Sequence, residues 1–241
     1  KKYFKLQLTK IILEKYSLSN ADEVIIIYNF IRNYAKKMGA KNINLLYNKV
    51  NLSQFSPNLK LDNKESIPII ICVGRLIKEK NQECLINAIK DLDVKLLLIG
   101  NGTEYNYLKK LVKSLNIENK VQFETSIQHE NIASYYNRSD IFALPIKYGG
   151  FAIPALEAAA SGIPVILPKQ EFDPNPDLIK DFALLVDNNP ESFKIAIQKV
   201  LSKKSLRDDL INKGLKVTKE ISSEIIEEKE KKLYLKLLNK I

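Results

Sequence analysis

The 241-residue sequence predicts an α/β protein, a doubly wound parallel sheet covered by helices and preceded by the remnant of a second α/β domain. Three observations carry this reading. Short apolar runs recur from Pro68 onward, at Ile69–Val73, Val94–Ile99, Val121–Phe123, Ile141–Leu144, Val165–Leu167 and Leu184–Val186. Each is separated from the next by a stretch in which apolar residues recur at helical spacing. The runs are too uniformly apolar to leave one face in water, and strands buried on both faces that alternate with helices belong to a parallel sheet.

Composition sets the outer limits. With 45% hydrophobic and 27% charged residues, the chain can bury one sizeable domain and part of another, and it is too apolar to be disordered. The longest apolar runs, Ile67–Val73 and Val94–Ile99, are strand-length and far short of the ~20 residues of a membrane-crossing helix. Cys72 and Cys84 fall in a strand and a helix without Cys-x-x-Cys spacing or other metal-ligand types nearby, so they read as small buried hydrophobes in a reducing cytoplasm, with no metal site. A net charge of +10 suits an anionic ligand, an anionic membrane surface or nucleic acid. The charges are scattered and form no basic–aromatic stripe, which argues against nucleic acid.

Taken in order, residues 2–17 read as a helix lying on a larger body, Asp22–Tyr28 as a strand, Asn29–Met38 as a helix stopped by Gly39, and Asn44–Tyr47 as a second short strand. Residues 1–52 are thus expected to be the tail of an α/β domain whose front lies ahead of Lys1. Residues 53–66, with Pro57 and several Asn, Ser and Lys, read as a linker. Residues 67–241 form the main domain, closing with two or three helices after Glu191, the last rich in Glu-Lys pairs.

A doubly wound sheet binds ligands beyond the carboxyl ends of its strands. Three loops there carry chemistry. Gly74-Arg75-Leu76-Ile77-Lys78-Glu79-Lys80-Asn81 places a tight-turn glycine and two cations before a helix start near Gln82, which together suit phosphate, although a solvated basic loop has the same composition. Gly100-Asn101-Gly102-Thr103 either lets the backbone approach a ligand or makes a tight strand-to-helix turn. The third loop runs from Pro145 through Gly149, Gly150, Phe151, Ala152 and Ile153 to Glu157, a lone carboxylate among alanines and suited to the vicinal hydroxyls of a ribose.

With these residues in place the chain resembles glycosyltransferase family 4, retaining enzymes with two Rossmann-like domains in the GT-B arrangement. The resemblance rests on Gly74-Arg75-Leu76 with Lys80, Ile99-Gly100-Asn101-Gly102, Ser139-Asp140 to Pro145, and Gly150-Phe151-Ala152-Ile153-Pro154-Ala155-Leu156-Glu157-Ala158. Ala21 to Ile25 and Tyr47 to Phe55 are similar to the end of the acceptor domain and the linker. The resemblance implies transfer of a hexosyl unit from a UDP-sugar or GDP-sugar to a glycan or lipid-linked acceptor, without cofactor or metal. It implies that Arg75 and Lys80 hold the donor diphosphate and act as catalytic cations, that Glu157 holds the ribose, and that Gly74 and the Gly150, Phe151, Ala152 and Ile153 backbone line the donor. The acceptor site is expected mostly in the amino-terminal domain.

One departure stands out. The family pairs two glutamates eight positions apart, and eight before Glu157 is Gly149. Glu171 or Asp177 could substitute, and the alternative is a non-catalytic subunit that binds nucleotide sugar. Other signals have plainer readings. Asp91-Leu92-Asp93 sits at the amino end of a strand, opposite the crevice, and reads as a turn; His129 reads as a surface or capping residue. The lysine-rich first and last helices read as solvated faces, with peripheral contact to an anionic membrane as the second reading.

Overall fold

The computed structural model describes residues 2–57, 67–147, 153–169 and 182–239. The chain divides into two compact units, one made of residues 1–49 and 223–241 and the other of residues 50–222.

The first unit contains helix α1 (Lys2–Asn20), strand β1 (Val24–Ile26), helix α2 (Arg32–Lys37) and strand β2 (Ile43–Leu45). The two strands pair in parallel, from Val24 opposite Ile43 to Ile26 opposite Leu45. The last helix of the chain, Ser223–Leu238, belongs to this unit and not to the main domain with which its position in the sequence groups it. Polar anchors hold it there. Lys236 Nζ donates to Glu23 Oε1 at 2.9 Å, and Lys49 Nζ lies 2.9 Å from Glu227 Oε1. The Glu23 side chain is only 3% exposed and also accepts from Asn44 Nδ2 at 2.8 Å, so the Glu-Lys pattern of that helix is partly an attachment surface.

The second unit is the predicted doubly wound sheet. Strands β3 (Ile69–Val73), β4 (Lys95–Ile99), β5 (Val121–Glu124), β6 (Ile141–Ala143), β7 (Val165–Pro168) and β8 (Ala183–Val186) stand in the order β5-β4-β3-β6-β7-β8, with every described pairing parallel. The first three strands build outward from β3, and β6 then returns to its other side. That reversal between β3 and β6 is the topological switch point, where the loops diverge and leave a crevice. Around the sheet lie α3 (Gln82–Ile89), α4 (Tyr105–Ser114), α5 (Ile132–Asn137), α6 (Ile153–Ala160), α7 (Pro190–Ser202) and α8 (Lys204–Glu220).

The core is the strand interior itself: Ile70, Ile71, Leu96, Leu98, Ile141, Phe142, Val165 and Ile166 are fully buried. Helix α3 packs on α7 and α6 on α8. The second pairing is close because small residues meet, and a Cβ on Gly214 would sit 3.2 Å from the Ala159 Cβ. Asp140 stitches β6 to β3. Its amide donates to the Ile69 carbonyl and its Oδ2 accepts from the Ile69 amide, both at 2.9 Å. Residues 53–57, read from composition as linker, also pack into this unit. Phe55 is 2% exposed, and Pro57 lies against Gly162, whose φ of 71° follows the end of α6.

Candidate functional site

The loop leaving β3 is held by the loop leaving β4. Gly74 N–H donates to the Ile99 carbonyl, Leu76 N–H to the Asn101 carbonyl and Glu104 N–H to the Leu76 carbonyl, all at 2.9 Å. A side chain at Gly100 would collide with the Gly74 carbonyl oxygen, and one at Gly102 with that of Leu76. Of the two readings open for Gly100 and Gly102, the geometry accounts for both glycines by backbone packing: they let one loop lie flat on the other.

The same loop then folds back on itself. Gly74 has φ 154°, and a Cβ built on it would stand 3.8 Å from Lys80 Cε, so the Lys80 stem lies over the turn that carries Arg75. Asn81 makes the return by adopting a left-handed conformation, φ 55° and ψ 36°, which asparagine tolerates better than most residues. Gln82, 2% exposed at the start of α3, donates from Nε2 to the Arg75 carbonyl at 2.9 Å and braces the turn.

Arg75 is exposed and Lys80 half-buried, and among the described residues neither cation has a hydrogen-bond or ion-pair partner. Burial lowers the Lys80 pKa, with the Arg75 charge adding to the effect and Cys72 opposing it. Arg75 and a partly desolvated Lys80 on one short loop are chemically suited to an anion.

Glu157 reaches this region from the other side of the switch point. It lies on α6, is 7% exposed, and accepts a hydrogen bond at 2.9 Å from Tyr136 Oη of α5. The Tyr136 phenol is raised well above its ordinary pKa by burial, by the Glu157 charge and by Cys72, and Cys72 is in turn within the field of Lys80. These influences link Glu157 with Tyr136, Tyr136 with Cys72 of β3, and Cys72 with Lys80. Burial pushes the Cys72 thiol up to about 12, which makes it a packing residue beneath the loop.

The loops are also tied laterally. Lys147 N–H donates to the Glu79 carbonyl at 2.8 Å, joining the exits of β6 and β3. Asn188, after β8, donates from Nδ2 to the Pro145 and Ile146 carbonyls at 3.2 and 3.1 Å and accepts from Asn81 Nδ2 at 3.2 Å. Next to this junction is a cavity of about 470 Å³ lined by Lys78, Asn81, Gln82, Tyr107 and Lys147 among others.

Of the residues predicted for the donor, Ile153 begins α6 and is 45% exposed. Gly150, Phe151 and Ala152, like Gly149, Glu171 and Asp177, lie outside the described residues. Asp91 and Asp93 lie on the short connection from α3 to the amino end of β4, where Asp91 Oδ2 is 3.5 Å from Lys194 Nζ, far from the carboxyl edge. Among the described residues no group of three or more His, Cys, Asp or Glu could hold a metal ion. The sequence reading missed Tyr136, Gln82 and Asn188. Each is a polar residue in or beside an otherwise apolar segment, but its partner lies elsewhere in the chain.

A six-stranded parallel sheet that reverses direction between β3 and β6, with Arg75 and Lys80 on the loop leaving β3, has the α/β architecture in which ligands bind beyond the carboxyl edge of the strands. The model of the family described as Glycosyl transferases group 1 matches residues 58–217, and the chain belongs to that family. An uncharacterised glycosyltransferase of Methanocaldococcus jannaschii is 29% identical over 191 residues, 72% of this chain and 48% of the relative. A GDP-mannose-dependent phosphatidylinositol monomannoside mannosyltransferase of Mycolicibacterium smegmatis is 30% identical over 111 residues, 41% of this chain and 29% of that protein. Among solved structures, the sucrose-phosphate synthase of Thermosynechococcus elongatus superposes with a TM-score of 0.84 at 27% identity, covering 97% of this chain and 62% of the synthase. The chain spans about half the length of the curated relatives it matches over most of its own. No helix among the described residues is long and apolar enough to cross a membrane.

Proposed function

We propose that this chain supplies the donor-binding part of a retaining glycosyltransferase that moves a hexosyl unit from a nucleotide diphosphate sugar to a hydroxyl of a glycan or lipid-linked glycan. The observation that carries the reading is the Arg75–Lys80 pair, two cations without a described counter-charge folded over Gly74 at the switch point. In the reaction the bond from the anomeric carbon to the diphosphate oxygen breaks, a bond to the acceptor oxygen forms on the same face, and the acceptor proton passes to the leaving diphosphate. Negative charge grows on the leaving diphosphate, and preorganised cations stabilise it more in the transition state than in the ground state. Arg75 and Lys80 take that part, and Glu157 binds the ribose.

The test is a thermal-shift panel on the wild type and Arg75→Ala. GDP-mannose comes first, because relatives at about 30% identity use it, followed by other GDP-sugars and UDP-sugars. A shift for at least one donor that Arg75→Ala abolishes is the expected result; no shift with any of them would sink the donor site. In the whole enzyme, Arg75→Ala should lower turnover far more than nucleoside binding. The second reading, a non-catalytic nucleotide-sugar-binding subunit, rests on Gly149 and predicts donor binding without transfer when a complete acceptor domain is present. A cytoplasmic location goes with the proposal, and the +10 charge favours peripheral contact with anionic lipid, which vesicle flotation would measure.

A further inference from the structure

We propose that Tyr136 is a positioning residue for Glu157, fixing the carboxylate in the orientation that receives the ribose hydroxyls. The inference rests on the reading of Glu157 as the ribose ligand and adds to it a residue from a different helix. Tyr136 is completely buried, and its hydroxyl donates to Glu157 Oε2 at 2.9 Å.

The phenol is itself immobilised. Its ring stands edge-on to Phe55 at 5.9 Å and 71°, and is tilted against Phe142 of β6 at 6.3 Å. A glutamate on a helix has three side-chain torsions, and a carboxylate meant to take two vicinal hydroxyls must stop in one of their combinations. A hydrogen bond from a rigid buried donor selects that combination and uses one of the roughly four acceptor positions of the carboxylate. Burial and then the neighbouring Glu157 charge raise the phenol well above its ordinary pKa, which favours the protonated, donating form.

The experiment measures binding of GDP against 2′-deoxy-GDP, and of UDP against 2′-deoxy-UDP, by calorimetry on the wild type, Tyr136→Phe and Glu157→Gln. Inorganic pyrophosphate serves as a probe of the Arg75–Lys80 pair alone. The wild type is expected to prefer the ribonucleotide by about tenfold, the worth of one hydrogen bond to a charged group. Tyr136→Phe should bring that preference close to unity while leaving pyrophosphate affinity unchanged. A wild type without preference overturns the ribose reading and this inference with it. A preference that survives in Tyr136→Phe overturns the inference alone, and loss of pyrophosphate binding in Tyr136→Phe overturns it in favour of a purely structural tyrosine. If Tyr136→Phe does not fold, Phe55→Leu loosens the ring while keeping the hydroxyl. A reduced ribose preference at constant pyrophosphate affinity is then expected, and an unchanged preference overturns the proposal.

Discussion

Lys80 keeps its charge at the expense of its own hydration. Its folded-state pKa lies below that of an unfolded lysine because burial, and then Arg75, disfavour the ammonium. A group with a depressed folded pKa contributes stability above its unfolded value and loses that contribution as pH falls through the folded one, so near neutrality the charged Lys80 costs the unliganded protein. A diphosphate reverses the balance by favouring the charged form. Two outcomes are expected. Lys80→Met should raise the Tm of the unliganded chain while weakening pyrophosphate binding. Wild-type affinity, followed by calorimetry from about pH 7 to about 10, should decline below the ordinary lysine range, whereas Lys80→Arg should hold its affinity across that interval. A different kind of dependence holds at Gly100, which must stay free of a side chain because the Gly74 carbonyl occupies the space. Gly100→Ala is expected to lower Tm and to abolish pyrophosphate binding together, read by differential scanning fluorimetry and calorimetry, because the loop that carries Arg75 has to lift.

At the scale of elements, the strands of the large sheet were legible because each is a short run of residues buried on both sides, a signal that survives without knowledge of partners. Ile69–Val73 is the same in sequence and structure, and β4 to β8 differ from the expected runs by a residue at most at either end. The tight turn after β3 was legible for a similar reason, since Gly74 stands directly after the apolar run and Arg75 and Lys80 follow within six residues. Glu157 showed itself as the one charge in an alanine-rich helix, but Tyr136 did not, because a tyrosine among apolar residues reads as core until its distant partner is known. Residues 53–57 misled in the opposite direction: a turn-rich composition hid Phe55, which packs against Tyr136. Asp140 is another element-level joint, reciprocally bonded to Ile69 at the start of β3. Asp140→Ala leaves the partly buried Ile69 amide without that acceptor and is expected to cost about 1–3 kcal/mol in urea denaturation, with little change in pyrophosphate affinity because the site lies at the other edge of the sheet.

For the whole molecule, the division into units gives a direct test. Residues 50–222 carry the complete six-stranded sheet, its helices and every described residue of the candidate site. A fragment of those residues is expected to melt cooperatively and to bind pyrophosphate with the affinity of the full chain, checked by circular dichroism and calorimetry; a fragment that fails to fold would show that the smaller unit stabilises the larger. The sequence could not show the composition of the smaller unit. Its closing helix sits next to the larger unit along the chain, whereas its anchors, Glu23 and Lys49, lie near the beginning, and nothing in a local pattern reports a partner 213 residues away. That arrangement also sets an order of events during synthesis. Residues 1–49 leave the ribosome before the larger unit, but the helix that completes their unit leaves it only after residues 50–222. On a nascent chain the larger unit can therefore finish folding while Glu23 still lacks Lys236 and Lys49 still lacks Glu227, which gives chaperones an interval in which to engage the incomplete smaller unit.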